Sequence, residues 1–161
     1  MEAELDRELF EAACAVRKHS YSPYSRFAVG AAVRAADGRI FTGCNVENAS
    51  YGLTLCAERC AIFAAVKEGV REFAALCVTA DTPGPVSPCG ACRQVMAEFR
   101  IPRIYLTNIQ GQYRSATVRI CCPMTSVCKK KEFYGRKNTQ QQSLRLCGRC
   151  GPSQRGKIQP W

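Results

Sequence analysis

The feature that most limits what this chain can fold into is a break in its charge after Val118. Residues 1–118 carry 13 Lys and Arg against 12 Asp and Glu, a net of +1. The last 43 residues carry 10 basic residues and one acid, Glu132, a net of +9. A core needs a balanced, apolar stretch, so residues 1–118 are read as one packed body, about a single domain in length. Residues 119–161 are basic and rich in Gln, Gly and Lys, with no sustained apolar period of 2 or 3.6, so they are predicted to be a disordered tail. The 47% apolar content of the whole chain excludes a wholly disordered protein. No apolar run approaches the ~18 residues of a membrane span. The segment Met1-Glu2-Ala3-Glu4-Leu5-Asp6 is acidic where a secretory signal is basic. Twelve cysteines without such a signal point to a reducing, cytoplasmic setting. There they read as metal ligands, buried thiols or reactive thiols sooner than as disulfides.

Within the body, Leu5, Leu9, Ala12, Val16 and His19 recur at helical spacing and predict an amphipathic helix over 3–19, broken by Ser22-Pro23. The runs 27–33 and 39–44, separated by Asp37-Gly38, read as a β-hairpin. Residues 56–67 read as a helix buried along Ala57, Cys60, Ala61, Ala64 and Ala65, and 73–80 as a covered strand. A second buried helix is expected over 90–99, a strand over 103–107 and another over 112–118. A hairpin followed by strand–helix–strand alternation implies an α/β fold, a mixed sheet of about five strands covered by helices.

Three cysteines stand apart by position. Cys56 opens the first buried helix, and Pro88-Cys89-Gly90-Ala91-Cys92 opens the second. A helix N-terminus favours a thiolate over a thiol. Thiolates are what zinc needs, and three protein ligands leave the fourth tetrahedral position open for water. Glu58, two residues after Cys56, is placed to reach such a water without ligating the metal and to shuttle its proton. Three thiolates on Zn²⁺ leave a net −1, which a guanidinium at Arg59 would offset. A lone Cys-x-x-Cys is a weak signal, since cysteine is often merely buried. Cys-Ala-Glu at one helix start and Pro-Cys-x-x-Cys at the next form the pattern of the zinc deaminases, with Cys in place of the first His.

The chain resembles the small nucleoside cytidine deaminases. The match runs through Ser22-Pro23-Tyr24-Ser25-x-Phe27-x-Val29-Gly30-Ala31-Ala32, Gly43-Cys44-Asn45-Val46-Glu47-Asn48-Ala49, Cys56-Ala57-Glu58-Arg59 and Ser87-Pro88-Cys89-Gly90-Ala91-Cys92-Arg93-Gln94-Val95, and covers residues 5–118. The resemblance implies a three-layer α/β/α fold. It also implies hydrolytic deamination of cytidine and 2′-deoxycytidine in pyrimidine salvage, with release of ammonia. A homotetramer follows too, its sites completed by neighbouring subunits. Carried over by position, Cys56, Cys89 and Cys92 hold Zn²⁺ and Glu58 moves the proton to N3 and then to the leaving amine. Phe27 stacks on the pyrimidine, Asn45 and Glu47 bond the ribose hydroxyl, the Ala57 backbone meets the base edge, and Tyr51 reaches a neighbour's site. From the pattern alone, Phe27 reads as core, Asn45 and Glu47 as solvated turn residues, and Arg59 as a surface charge. On the same basis His19 is a helix-face residue, and Cys14, Cys44, Cys60 and Cys77 are buried thiols.

After Thr117-Val118 the family continues with an acid, Leu-Leu-Pro and a stretch containing Phe. Here the sequence reads Arg119-Ile120-Cys121-Cys122-Pro123-Met124-Thr125-Ser126-Val127-Cys128. Shifted back by one nucleotide, codons for residues 120–128 permit Asp-Leu-Leu-Pro-Tyr-Asp-Phe-Gly-Leu, with Leu forced at the third place and Asp at the sixth. The tail from about Ile120 is therefore read as a frameshifted translation, and the nucleotide sequence tests this directly. A second zinc site from Cys121, Cys122, Cys128, Cys147 and Cys150 is disfavoured by irregular spacing. One rival class is a polynucleotide deaminase using the basic tail on phosphates. The near-neutral body and the ribose-reading pair argue against it. Another is a non-catalytic zinc module or an impaired isoform that has lost the family's ending.

Overall fold

A computed structural model of the chain describes residues 4–117. Helix α1 (Arg7–Arg17) is followed by the strands β1 (Val29–Ala35) and β2 (Ile40–Cys44). A 3-10 turn (Tyr51–Leu53), helix α2 (Ala57–Lys67), strand β3 (Phe73–Ala80), helix α3 (Gly90–Glu98), and strands β4 (Ile104–Asn108) and β5 (Tyr113–Ala116) complete it. The five strands form one sheet in the order β2-β1-β3-β4-β5, so the expected α/β fold with a five-stranded mixed sheet is what the chain adopts.

Both faces of the sheet are covered, which explains apolar runs too continuous for a half-solvated sheet. Alternation along β1 sends Ala31, Val33 and Ala35 to one face and Ala32 to the other. On the first face they pack with Leu76, Val78 and Ile104 against Ala61, Ile62 and Ala65 of α2 and Met96 of α3. On the second, Ala32, Ala75, Cys77 and Tyr105 meet Leu9 and Ala13 of α1. Each fully buried large side chain contributes about 1.5–3 kcal/mol of hydrophobic stabilisation.

The strand directions place the site. β2 and β3 both run antiparallel to β1, hence parallel to each other, and α2 carries the chain over β1 between them. β3 and β4 are parallel, with α3 as their crossover. α2 and α3 therefore share a face and begin at the same end of the sheet. That brings Cys56 and Cys89, 33 residues apart in sequence, to neighbouring helix starts.

Several boundaries differ from expectation. α1 begins at Arg7 because the Asp6 carboxylate accepts the Leu9 N–H and caps the helix. It ends at Arg17, so His19 lies beyond the helix rather than on its face. β1 begins at Val29, two residues late, because the preceding backbone bonds to a side chain instead of a strand. Cys77 is buried, but Cys14, Cys44 and Cys60 are only partly so. The expectations for residue 3, Val118, the tail and its five cysteines lie outside the described residues. Among the described residues no helix is long and apolar enough to cross a membrane.

Candidate metal centre and adjoining groove

Cys56 is the N-cap of α2 and Cys89 that of α3, and Cys92 sits in the first turn of α3. Their three sulfurs lie within 4.8 Å of one another. Cys56 Sγ and Cys89 Sγ are 3.7 Å apart. A tetrahedral zinc with Zn–S bonds of about 2.3 Å needs its sulfurs about 3.8 Å apart, so this edge fits the ion as it stands. The electrostatics fit as well. Arg59 Nη2 donates to Cys56 Sγ at 3.4 Å and to the Thr54 carbonyl at 3.0 Å. The Cys92 backbone N–H donates to Cys89 Sγ at 3.5 Å. Within the trio, the Cys92 thiol bonding to Cys56, with Arg59 and Cys89 beside it, pulls Cys56 down to about 5. The same contact with Cys56, then burial, holds the proton on Cys92 and pushes that thiol up. Arg59 is thus no ordinary surface charge.

Glu58 occupies the first turn of α2 and is 4% exposed. Burial raises its pKa above the usual carboxylate value, and the Cys56 thiolate adds to this. A buried acid with raised proton affinity, two residues along the chain from the Cys56 thiolate, has the makings of a proton carrier.

The loops on either side are tied into one hydrogen-bonded unit. Asn45 is 8% exposed, which overturns its reading as a solvated turn residue. Its Oδ1 accepts the Val29 N–H at 2.8 Å and the Ser20 hydroxyl, and its Nδ2 donates to the Phe27 carbonyl at 2.8 Å. Val29 N–H needs an acceptor and the Phe27 carbonyl a donor, so these partners fix the orientation of the amide. The Glu47 carboxylate accepts the Tyr24 N–H at 2.9 Å, the Ser25 N–H at 3.2 Å and the Ser25 hydroxyl. The Ser25 hydroxyl, ahead of the backbone bonds, holds Glu47 below the usual carboxylate range. Phe27 is 40% exposed, so it is not a core residue: the turn before β1 carries its ring outward. Tyr24, Ser25, Glu47, Tyr51 and Thr54 line a groove of about 320 Å³, with the Tyr24 and Tyr51 rings edge to face at 6.5 Å. Thr54 links groove and sulfurs, since its carbonyl holds the Arg59 that touches Cys56. Ala57 is buried at the first position of α2.

Sequence reasoning assigned no part to Ser20, Ser25 or Thr54. Ser25 stood within a quoted motif, but a serine in a turn gives no sign of its tertiary partner.

Three sulfurs and a buried acid at paired helix starts, linked through Arg59 and Thr54 to the groove over Glu47, have the make-up of a metal-assisted hydrolase site on an α/β/α fold. A family model described as the cytidine and deoxycytidylate deaminase zinc-binding region matches residues 3–108, and the chain belongs to this family of hydrolytic deaminases. The chain is 57% identical over 110 residues to a cytidine deaminase of Sporosarcina psychrophila, covering 66% of this chain and 80% of the relative. It is 52% identical over 122 residues to that of Halalkalibacterium halodurans, covering 74% and 92%. The crystal structure of cytidine deaminase from Burkholderia pseudomallei superimposes with a TM-score of 0.71 at 51% identity, over 74% of this chain and 98% of that one. The cytidine deaminase from Mycobacterium tuberculosis gives 0.65 at 38%, over 76% and 98%.

Proposed function

We propose that this chain converts cytidine and 2′-deoxycytidine to uridine and 2′-deoxyuridine with release of ammonia, serving pyrimidine salvage. The observation that carries this reading is the meeting of Cys56, Cys89 and Cys92 beside the buried Glu58. The three cysteines would hold zinc, which when bound supplies a Lewis acid that makes water nucleophilic near neutral pH. Arg59 balances thiolate charge at Cys56. Glu58 would accept one proton from the attacking water and deliver it to ring N3, then take the second from the new C4 hydroxyl and give it to the departing amine, leaving the C4 carbonyl. Its raised proton affinity suits a group that must both take and give within one cycle. Water adds and ammonia leaves, so the atoms balance.

Phe27 offers its exposed ring to the pyrimidine, and the Ala57 backbone faces the base edge. The sugar readers can be counted. Asn45 has one N–H left after Phe27, and Glu47 has room for about one more donor after its three. Together they supply one donor and one acceptor, which is what a single hydroxyl requires. That is consistent with both ribo- and deoxyribonucleosides as substrates. A neighbouring subunit of a homotetramer would be met by Tyr51. Residues 1–118 form the catalytic body in this reading, and the tail takes no part in the chemistry.

Glu58→Gln tests the mechanism. The variant keeps its zinc, measured by metal analysis of the purified full chain, and loses about 10²- to 10⁴-fold in kcat for cytidine. Unchanged turnover removes Glu58 from the proton path. A wild-type chain that binds no zinc removes the whole reading.

A further inference from the structure

The turn ahead of β1 contains an unusual kink. Arg26 has φ 56°, in the left-handed region that a non-glycine residue adopts only at a cost. The Arg26 N–H closes a turn onto the Ser22 carbonyl at 3.0 Å. Directly across the kink, the Phe27 N–H donates to Ser25 Oγ at 3.0 Å, the local bond by which a serine side chain holds a turn two residues on. The same hydroxyl donates to Glu47 Oε1, while the Ser25 N–H donates to Glu47 Oε2. One exposed side chain therefore fixes both the outward turn of Phe27 and the direction of the Glu47 carboxylate. Without it, Glu47 keeps only two bonds to the backbone, both on the same oxygen. The carboxylate could then swing about that oxygen.

We propose that Ser25 is a positioning residue for nucleoside binding: its hydroxyl aims Glu47 at the sugar hydroxyl and locks the kink that presents Phe27. This rests on the reading of Glu47 as a sugar reader. In this reading Ser25 acts through Glu47, so removing it loosens binding without altering the bond-making step. A hydrogen bond to a charged group is worth roughly a factor of ten in affinity.

The test measures equilibrium binding of uridine and of 2′,3′-dideoxyuridine to the zinc-loaded full chain. The variants are Ser25→Ala, Ser25→Thr and, in parallel, Glu47→Gln. Ser25→Ala should weaken uridine about tenfold more than it weakens 2′,3′-dideoxyuridine, which shares the pyrimidine that Phe27 meets but lacks the 3′-hydroxyl that a misaimed Glu47 would miss. Ser25→Thr, which keeps the hydroxyl at an exposed position, should restore uridine binding. Equal weakening of both ligands by Ser25→Ala, or no weakening, overturns the proposal. If Glu47→Gln discriminates between the two ligands and Ser25→Ala does not, the Ser25 proposal fails and the sugar-reading role of Glu47 stands. If Glu47→Gln weakens both alike, or the wild type binds neither, the sugar reading has failed and Ser25 falls with it.

Discussion

Asp6 serves two partners with one carboxylate. It caps α1 through the Leu9 N–H at 3.1 Å and takes two bonds of 2.9 Å from Arg34, which also reaches Glu8 at 3.0 Å. The first turn of α1 is thereby fastened to β1. Burial alone would raise the Asp6 pKa, but the Arg34 bond, the Leu9 N–H and the charge of Arg34 outweigh it and hold the group below 3.8. A carboxyl lowered on folding stabilises the fold above its unfolded value, and that stability is lost as pH falls through the folded value. Melting temperature should therefore drop as pH is taken below about 4, and more steeply in the wild type than in Asp6→Asn, which keeps a capping oxygen but no charge. At pH 7 Asp6→Asn should cost roughly 1 kcal/mol, since the pair stays partly solvated. Matching pH profiles for the two proteins would show that the pair does not act this way. At this scale the sequence was legible where chemistry is rare. Cys56, Cys89, Cys92 and Glu58 are marked by residue type and by their place at helix starts. Asn45 was legible as a motif residue but not as a clamp, because its partners at Phe27 and Val29 meet it only after β1 and β2 pair. Ser25 and Thr54 are unmarked for the same reason.

Between elements, one close approach is made where a side chain is missing. Gly43 in β2 faces α2, and a Cβ there would lie 2.3 Å from the Ala61 nitrogen and 2.7 Å from the Ala57 carbonyl oxygen. Both are helix backbone, so relief requires α2 itself to shift. Overpacking of this kind costs about 1–3 kcal/mol or more. α2 carries Cys56 and Glu58, so its displacement should also disturb the sulfur trio. Gly43→Ala is expected to lower the urea midpoint and to weaken zinc binding in a competition assay. Gly84→Ala, with nothing within 4 Å, should do neither. A stable Gly43→Ala with unaltered zinc affinity would mean that α2 does not need this contact. The elements themselves were legible because apolar period and length agree. β3 falls at Phe73–Ala80 as expected, and α2 and α3 begin within a residue of their expected starts. Their ends were less legible where capping decides. Asp6 shortens α1, and the Asn45 clamp delays β1, two effects that hydrophobic period does not contain.

Across the described body, several of the exposed apolar side chains come from two neighbouring loops. Tyr51 is 78% exposed, Leu53 68% and Tyr21 57%, and Tyr24, Val46 and Leu55 are exposed as well. They form one surface because isolated bridges tie Tyr21 to Val46 and Val46 to Leu55. A contiguous apolar patch of this kind is unfavourable on a free monomer, and the homotetramer proposed above would cover it. Tyr24 and Tyr51 belong both to this surface and to the groove over Glu47, so a subunit seated on it would also close the groove. Assembly and nucleoside binding should then be lost together. Leu53→Glu places a charge in the patch while leaving the core and the sulfur trio alone. Sedimentation velocity should show this variant as a monomer at concentrations where the wild type is assembled, with zinc content retained and KM for cytidine raised about tenfold or more. A wild type that sediments as a monomer would separate the groove from assembly. An assembled Leu53→Glu would move the interface to another face, and with it the part given to Tyr51. The patch was not legible from apolar period, because its members come from two loops that only the bridges bring together.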